Sequence, residues 1–125
     1  MRVWVSPTRE QVVVTPRGEL DLATAPGLAA AVSQVLTDTP EAGSLVLDLG
    51  DVTFIDSSGV KVVVLARRLM AERAGQLVVC NAQPPVLRVL ALLGISSLAT
   101  VHPIPEDLPT VVTDITDAPQ VTPLV

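Results

Sequence analysis

Apolar residues along the first hundred positions follow two periods, one typical of strands and one typical of helices. Short apolar runs predict five strands, at residues 3–5, 11–15, 44–49, 76–80 and 98–101,. Apolar residues three and four apart predict three helices, at residues 24–36, 60–73 and 84–93,. A further short extended piece ends at residues 54–55. The predicted element order is β-β-α-β-α-β-α-β.

Local signals predict where these helices begin and end. Thr24 is of a type that caps helix N-termini, and Pro26 follows in the first turn, where its missing N–H is harmless,. Gly75 is expected to stop the second helix,. That helix is expected to have a polar face and an opposite apolar face: Lys61, Arg68 and Glu72 against Val63, Val64 and Met70,.

Strands that alternate with helices predict an α/β fold. Such connections imply a mixed, mostly parallel sheet with helical crossovers, and the first two strands add an antiparallel edge. The length of 125 residues fits one domain, which we place at residues 1–102,. Residues 103–125 differ in composition, with four acidic residues, no basic ones and five prolines, so we read them as a largely extended tail,. Its apolar residues Val111, Val112 and Ile115 form the alternative, a short edge strand,.

Composition and charge exclude several partners. Aromatic residues make up only 2% and the net charge is −5, so the chain lacks both the stacking platforms and the positive charge of a nucleic-acid binder,. The start of the chain has no secretory pattern, and no run approaches the roughly 18 apolar residues of a membrane span,. We therefore expect a cytoplasmic protein without direct contact to nucleic acid or membrane.

Signals for an enzyme are weak. His102 is the only histidine, and neither Ser57 nor Ser58 lies in a G-x-S-x-G turn, which disfavours a serine hydrolase,. No phosphate-binding or dinucleotide-binding glycine motif is present,. Asp48, Asp51 and Asp56 are close in sequence and could attract Mg²⁺, although such residues are more often simply solvated,. We expect no catalytic residues, no metal and no cofactor.

The single cysteine, Cys80, is a second weak signal. It has no partner for an internal disulfide and follows two valines at the end of a predicted strand,. We interpret it as a small core residue, with a redox role as the alternative.

The segment Asp56-Ser57-Ser58-Gly59 lies where an extended piece meets a helix. Free backbone N–H groups and the helix dipole favour an anion there, and a phosphate on Ser57 would fit. The alternative is that Asp56 or Ser57 simply caps the helix. The residues by themselves leave both interpretations open.

Several motifs together resemble the STAS domain, and more closely the bacterial anti-sigma factor antagonists. They occur in the family's order between residues 3 and 102: Gly18-Glu19-Leu20-Asp21, Thr24-Ala25, residues 45–49, Phe54-Ile55-Asp56-Ser57-Ser58-Gly59 and residues 84–95. The resemblance implies a mixed sheet with helices mainly on one face. Where the family usually has Leu-Gly after D-S-S-G, this chain has Val60-Lys61, a departure that bears on partner choice.

The resemblance also implies a function and its residues. Ser57 would be phosphorylated by a serine kinase that is itself the anti-sigma factor, with Ser58 as second candidate, and a serine phosphatase would reverse the reaction. Asp21 and Asp56 would flank the phosphate, while Ser58, Gly59 and Lys61 would shape the partner-binding surface. The protein would then regulate sigma-factor-dependent transcription as a monomer or weak dimer.

The sequence leaves two rival functions open. One is a non-switching STAS adaptor in a transport or stress-signalling assembly, in which Ser57 only caps the helix. The other is a small hydrolase or nucleotide-binding protein that uses the Asp48, Asp51 and Asp56 region.

Overall fold

The computed structural model describes residues 2–7, 11–93 and 111–114 of the chain. They form six strands and three helices in the order β1 Arg2–Pro7, β2 Gln11–Leu20, α1 Ala25–Asp38, β3 Ser44–Asp48, β4 Val52–Ile55, α2 Ser57–Glu72, β5 Gln76–Cys80, α3 Pro84–Leu92 and β6 Val111–Asp114. The strand predicted at 98–101 and the tail residue Ile115 lie outside the described residues. In the described part, no helix is long and apolar enough to cross a membrane.

The sheet is mixed, as the alternation of elements predicts. Its main path runs β5-β3-β2-β1-β6, and β4 pairs with the second half of β2. The pairs β2–β3, β3–β5 and β2–β4 are parallel. The pairs β1–β2 and β1–β6 are antiparallel. The alternative of an edge strand in the tail is thus seen at Val111 and Val112, while the boundary at residue 102 stays a prediction.

β2 is twice as long as the predicted strand, which ended at Thr15. Pro16 and Gly18 interrupt the apolar pattern there, yet the backbone continues extended to Leu20. Gly18 has a φ of +112°, a conformation that glycine adopts at little cost, and the register with β4 shifts between Gly18 and Glu19,. This bulge lets the first half of β2 pair with β3 and the second half pair with β4.

All three helices pack on one face of the sheet, as the resemblance implies. The shared core takes alternate sheet residues that point to this face: Val12, Val14, Leu45, Leu47, Leu77 and Val79. The helices add fully buried side chains, among them Leu28 of α1, Met70 of α2 and Leu90 of α3. On the opposite face of the sheet, Val13, Val46, Val78 and Cys80 form a second, smaller buried cluster.

The Arg73 side chain links the C-terminal ends of α1 and α2 by hydrogen bonds. Arg73, directly after α2, donates from its guanidinium to the carbonyl oxygens of Leu36 at 2.8 Å and Thr39 at 2.9 Å. These carbonyls belong to the C-terminal end of α1, where backbone acceptors lack helical partners and a positive charge is favoured. After Arg73 the chain turns at Ala74, which has a φ of 56°, one residue before the glycine expected to stop the helix.

Candidate functional site

The carboxyl ends of β2 and β4 lie side by side and each leads into a helix. Leu20 and Ile55 are register partners in the parallel pair, and the backbone N–H of Asp56 donates to the carbonyl oxygen of Leu20 at 3.2 Å. Asp21 and Asp56 therefore follow neighbouring strands at the same edge of the sheet. The fold brings together the two motifs, G-E-L-D and D-S-S-G, that lie far apart in sequence.

Asp56 caps α2. Its Oδ1 accepts hydrogen bonds from the backbone N–H of Ser58 at 2.8 Å and of Gly59 at 3.2 Å. Its own backbone is extended, with φ −117° and ψ −172°, as is typical of an N-cap residue,. Of the two residues considered for the cap, Asp56 fills that role and Ser57 does not.

Asp21 caps the turn that leads into α1, and Thr24 occupies the N-cap position of the helix, as predicted. The Asp21 Oδ1 accepts from the backbone N–H of Ala23 at 3.0 Å and of Thr24 at 3.1 Å. In return, the Thr24 Oγ1 accepts a hydrogen bond from the Asp21 backbone N–H at 2.9 Å. The same hydroxyl donates to the carbonyl oxygen of Glu19 at 2.8 Å. Thr24 lies at the predicted N-cap position but makes no side-chain cap hydrogen bond, because its Oγ1 is already bonded to Asp21 and Glu19. Pro26 lies in the first turn as predicted.

Ser57 is the first residue of α2, and its side chain is exposed. Among the described residues its hydroxyl makes no hydrogen bond, because the capping role belongs to Asp56. Ser58 is half-buried, and its backbone N–H is already held by the Asp56 carboxylate. Of the two serines, Ser57 presents the more accessible hydroxyl at the positive end of a helix.

Gly59 lies where α2 packs tightly against the ends of β2 and β4. A Cβ atom at this position would lie 2.6 Å from the Leu20 Cγ, 2.7 Å from the Ile55 Cγ1 and 2.8 Å from the Leu20 carbonyl oxygen. Real Cβ atoms essentially never come this close to other heavy atoms. Glycine is therefore required here for space, and the close approach fixes the Ser57 turn against β2 and β4.

A shallow groove of about 280 Å³ lies between the start of α1 and the first three turns of α2. Eight residues line it: Leu22, Ala25, Pro26, Ala29, Ser58, Lys61, Val62 and Leu65. Lys61 is exposed at its rim, and Leu22 is 76% exposed although it is a large apolar residue. Leu22 was not among the predicted site residues, since its exposure depends on the turn that Asp21 caps.

The three carboxylates that could have attracted Mg²⁺ have separate roles. The Asp48 Oδ1 accepts from the Gly50 backbone N–H and from the Asn81 amide, at 3.0 and 3.2 Å. Asp51 forms an exposed ion pair with Arg17 at 3.4 Å, while Asp56 caps α2. Within residues 2–7, 11–93 and 111–114, no group of three acidic, histidine or cysteine side chains could hold a metal ion. His102 lies outside these residues.

Cys80 lies in the small cluster on the sheet face away from the helices, with 2% of its surface exposed. Burial, together with the nearby charge of Asp48, raises the pKa of its thiol to about 11. The thiol is therefore protonated at neutral pH, and a protonated thiol is a poor nucleophile. The environment is that of a core residue.

Comparison with known proteins assigns the family. The model of the STAS domain matches residues 4–108, and the chain belongs to this family. The chain is 29% identical over 94 residues to the anti-sigma F factor antagonist of Paenibacillus polymyxa. The aligned region covers 75% of this chain and 80% of that protein.

Solved structures agree with this assignment. The anti-sigma factor antagonist SpoIIAA in its unphosphorylated form superposes with a TM-score of 0.73 at 25% identity, over 81% of this chain and 88% of that one. The phosphorylated form of SpoIIAA from Bacillus gives a TM-score of 0.65 at 24% identity, over 81% and 91%. An anti-sigma factor antagonist from Mycobacterium paratuberculosis gives 0.70 at 28% identity, over 86% and 90%.

Proposed function

We propose that the protein is an anti-sigma factor antagonist that binds an anti-sigma factor serine kinase and is released when that kinase phosphorylates Ser57. The observation that carries the proposal is the exposed Ser57 hydroxyl, which lies at the N-terminus of α2 and takes no part in the cap. The names of the similar proteins support the antagonist role. SpoIIAA has been solved with and without phosphate, which supports the switch.

The proposed reaction transfers one phosphoryl group. The Ser57 Oγ attacks the γ-phosphorus of ATP, the bond to the β-phosphate oxygen breaks, and ADP and the serine proton leave. A serine phosphatase restores the hydroxyl when water cleaves the new P–O bond and releases inorganic phosphate. Both reactions use groups supplied by the partners, so the chain itself needs no cofactor. Phosphorylation and dephosphorylation of Ser57 would take place in the cytoplasm, where ATP is available.

The switch itself would be electrostatic. Phosphorylation adds about −1.5 to −2 charges at Ser57. Two aspartates already lie at this edge of the sheet, Asp21 directly after β2 and Asp56 directly after β4. Both carboxylates are committed to backbone N–H groups of the helix turns, so they stay in place and add to the negative potential. Like charges brought together across an interface cost several kcal/mol, and each 1.4 kcal/mol corresponds to a tenfold change in affinity.

The partner-binding surface would surround this turn. Ser58 and Lys61 line the groove next to Ser57, and Gly59 holds the turn against the sheet. Asp21 and Asp56 order the two helix starts that form the walls of the groove. Leu22, exposed at the same groove, is an apolar contact that we add to the set.

Phosphorylation by the cognate kinase tests the proposal. Incubation with ATP and the purified kinase is expected to add one phosphate to the wild-type protein and none to Ser57→Ala. Ser58→Ala is the matched control and should still be labelled. Labelling that persists in Ser57→Ala and disappears in Ser58→Ala would move the site to Ser58. If no serine is labelled while the kinase binds, the non-switching adaptor would be the better description.

A further inference from the structure

The exposed face of α2 carries a row of four residues that begins at Ser57. Ser57, Lys61, Val64 and Arg68 are spaced by four, three and four residues, so they lie on one side of the helix,. At a rise of about 1.5 Å per residue the row is about 16 Å long. The expectation that Val64 lies opposite Lys61 and Arg68 was wrong, because the helical period places it between them, and Val64 is 50% exposed.

Positive charge is concentrated on this helix. Residues 57–73 hold four of the eight basic residues and one acidic residue, whereas the rest of the chain holds four basic and twelve acidic residues. Arg73 is engaged by the carbonyl oxygens of α1. Lys61, Arg67 and Arg68 are exposed, and none of them forms an ion pair with the described residues.

Unpaired cations on either side of an exposed apolar residue suit a particular kind of partner. An acidic chain that gathers its cations on one helix gains electrostatic steering toward a negative surface. Val64, between two of these cations, offers a small apolar contact at the centre of the row. A complementary surface therefore has carboxylates on both sides of an apolar depression.

We propose that the row Lys61–Val64–Arg68 is the docking surface for an acidic region of the anti-sigma factor kinase, an inference that rests on the proposed function. It extends the binding surface from the Ser57 turn along two further turns of α2. It also explains why a phosphate at Ser57 would weaken binding, since Ser57 lies at the end of the same row. The phosphate would repel the partner's carboxylates and, four residues before Lys61, draw that cation into an ion pair within the helix.

Two other negative partners compete with this interpretation. A nucleic acid or an anionic membrane would also be attracted to exposed cations, but each extends beyond the row, where the rest of the chain holds four basic and twelve acidic residues and repels it,. A row of two cations around one valine is short for such extended surfaces. A folded acidic protein surface fits its length and its apolar centre.

Charge reversal along the row tests the inference. The variant is Lys61→Glu combined with Arg68→Glu, and the probe is the unphosphorylated complex with the kinase that labels Ser57. The variant is expected to bind at least about tenfold more weakly than the wild type, and the wild-type affinity is expected to fall with added salt. The control is Arg88→Glu, which reverses one cation, half the charge change of the double variant, at an exposed position of α3 and should bind like the wild type. Unchanged thermal midpoints show that each variant is folded.

The outcomes distinguish a failure of the docking inference from a failure of the proposed function. If the kinase labels Ser57 but binds the double variant as tightly as the wild type, the docking inference fails and the proposed function stands. If no kinase labels Ser57, the proposed function fails and the inference falls with it. Binding of the wild-type protein, but not the double variant, to phosphatidylserine vesicles or duplex DNA would also overturn the inference.

Discussion

Removal of the Asp56 carboxylate is expected to destabilise the whole domain through one helix end. Asp56→Ala deletes the oxygen that accepts from the N–H groups of Ser58 and Gly59. Loss of an N-cap costs about 0.5–2 kcal/mol, and loss of a negative charge at a helix N-terminus costs about 0.3–1 kcal/mol. We expect a total loss of about 1–2 kcal/mol, because the two contributions overlap in one hydrogen-bonded group.

The matched variant Asp56→Asn separates the cap from the charge. Its side-chain oxygen can still accept both hydrogen bonds, so it should lose only the smaller, charge-dependent part. Urea titration followed by circular dichroism measures both free energies of unfolding, and the thermal midpoint should fall by roughly 4 °C for each kcal/mol. Equal stability of Asp56→Ala and the wild type would refute the cap. Equal losses in the two variants would show that charge alone matters.

Four further variants test other parts of the fold. Gly59→Ala should cost about 1–3 kcal/mol in unfolding free energy, because its Cβ must displace Leu20 or the helix itself,; a neutral effect would mean that α2 can shift freely. Arg73→Ala should lower the unfolding free energy by about 1–2 kcal/mol, because the carbonyls at the end of α1 lose their donor,. The control Arg67→Ala, at an exposed position, should change the unfolding free energy little. Equal losses in the two variants would contradict the role of Arg73 at the end of α1. Ala74→Gly should raise the stability by about 0.5–1 kcal/mol, because glycine adopts the left-handed conformation without strain,; a lower midpoint would argue against that conformation. Truncation after Pro105 should lower the thermal midpoint by only a few degrees. The reason is that a four-residue edge strand gains little stability beyond its ordering cost of roughly 1–2 kcal/mol per residue,. A drop of roughly fifteen degrees in the midpoint would show that β6 completes the domain.

The fold followed from the sequence where patterns are local and long. The runs at 44–49 and 76–80 are continuous and apolar, and they became the buried parallel strands β3 and β5. The second half of β2 was missed because Pro16 and Gly18 resemble a turn. Only the sheet explains it, since the bulge at Gly18 serves to move β2 from one partner strand to another.

The site was predicted in part for a similar reason. Asp56 and Ser57 are adjacent, so their competition for one cap position could be stated from the sequence and was then decided by two hydrogen bonds. Arg73 gave no signal, because its acceptors are backbone carbonyls more than thirty residues earlier. Val64 was placed on the wrong face because its apolar character outweighed its helical position between Lys61 and Arg68.

The affinity of the kinase for the two phosphorylation states tests the central claim most directly. Stoichiometrically phosphorylated and unphosphorylated protein would be titrated against the same kinase by calorimetry, with Ser57→Ala treated identically as the control. We expect the phosphorylated protein to bind at least about tenfold more weakly, a difference of about 1.4 kcal/mol or more, and the control to bind tightly after the same treatment. Equal affinities of the two forms would contradict the charge switch at Ser57.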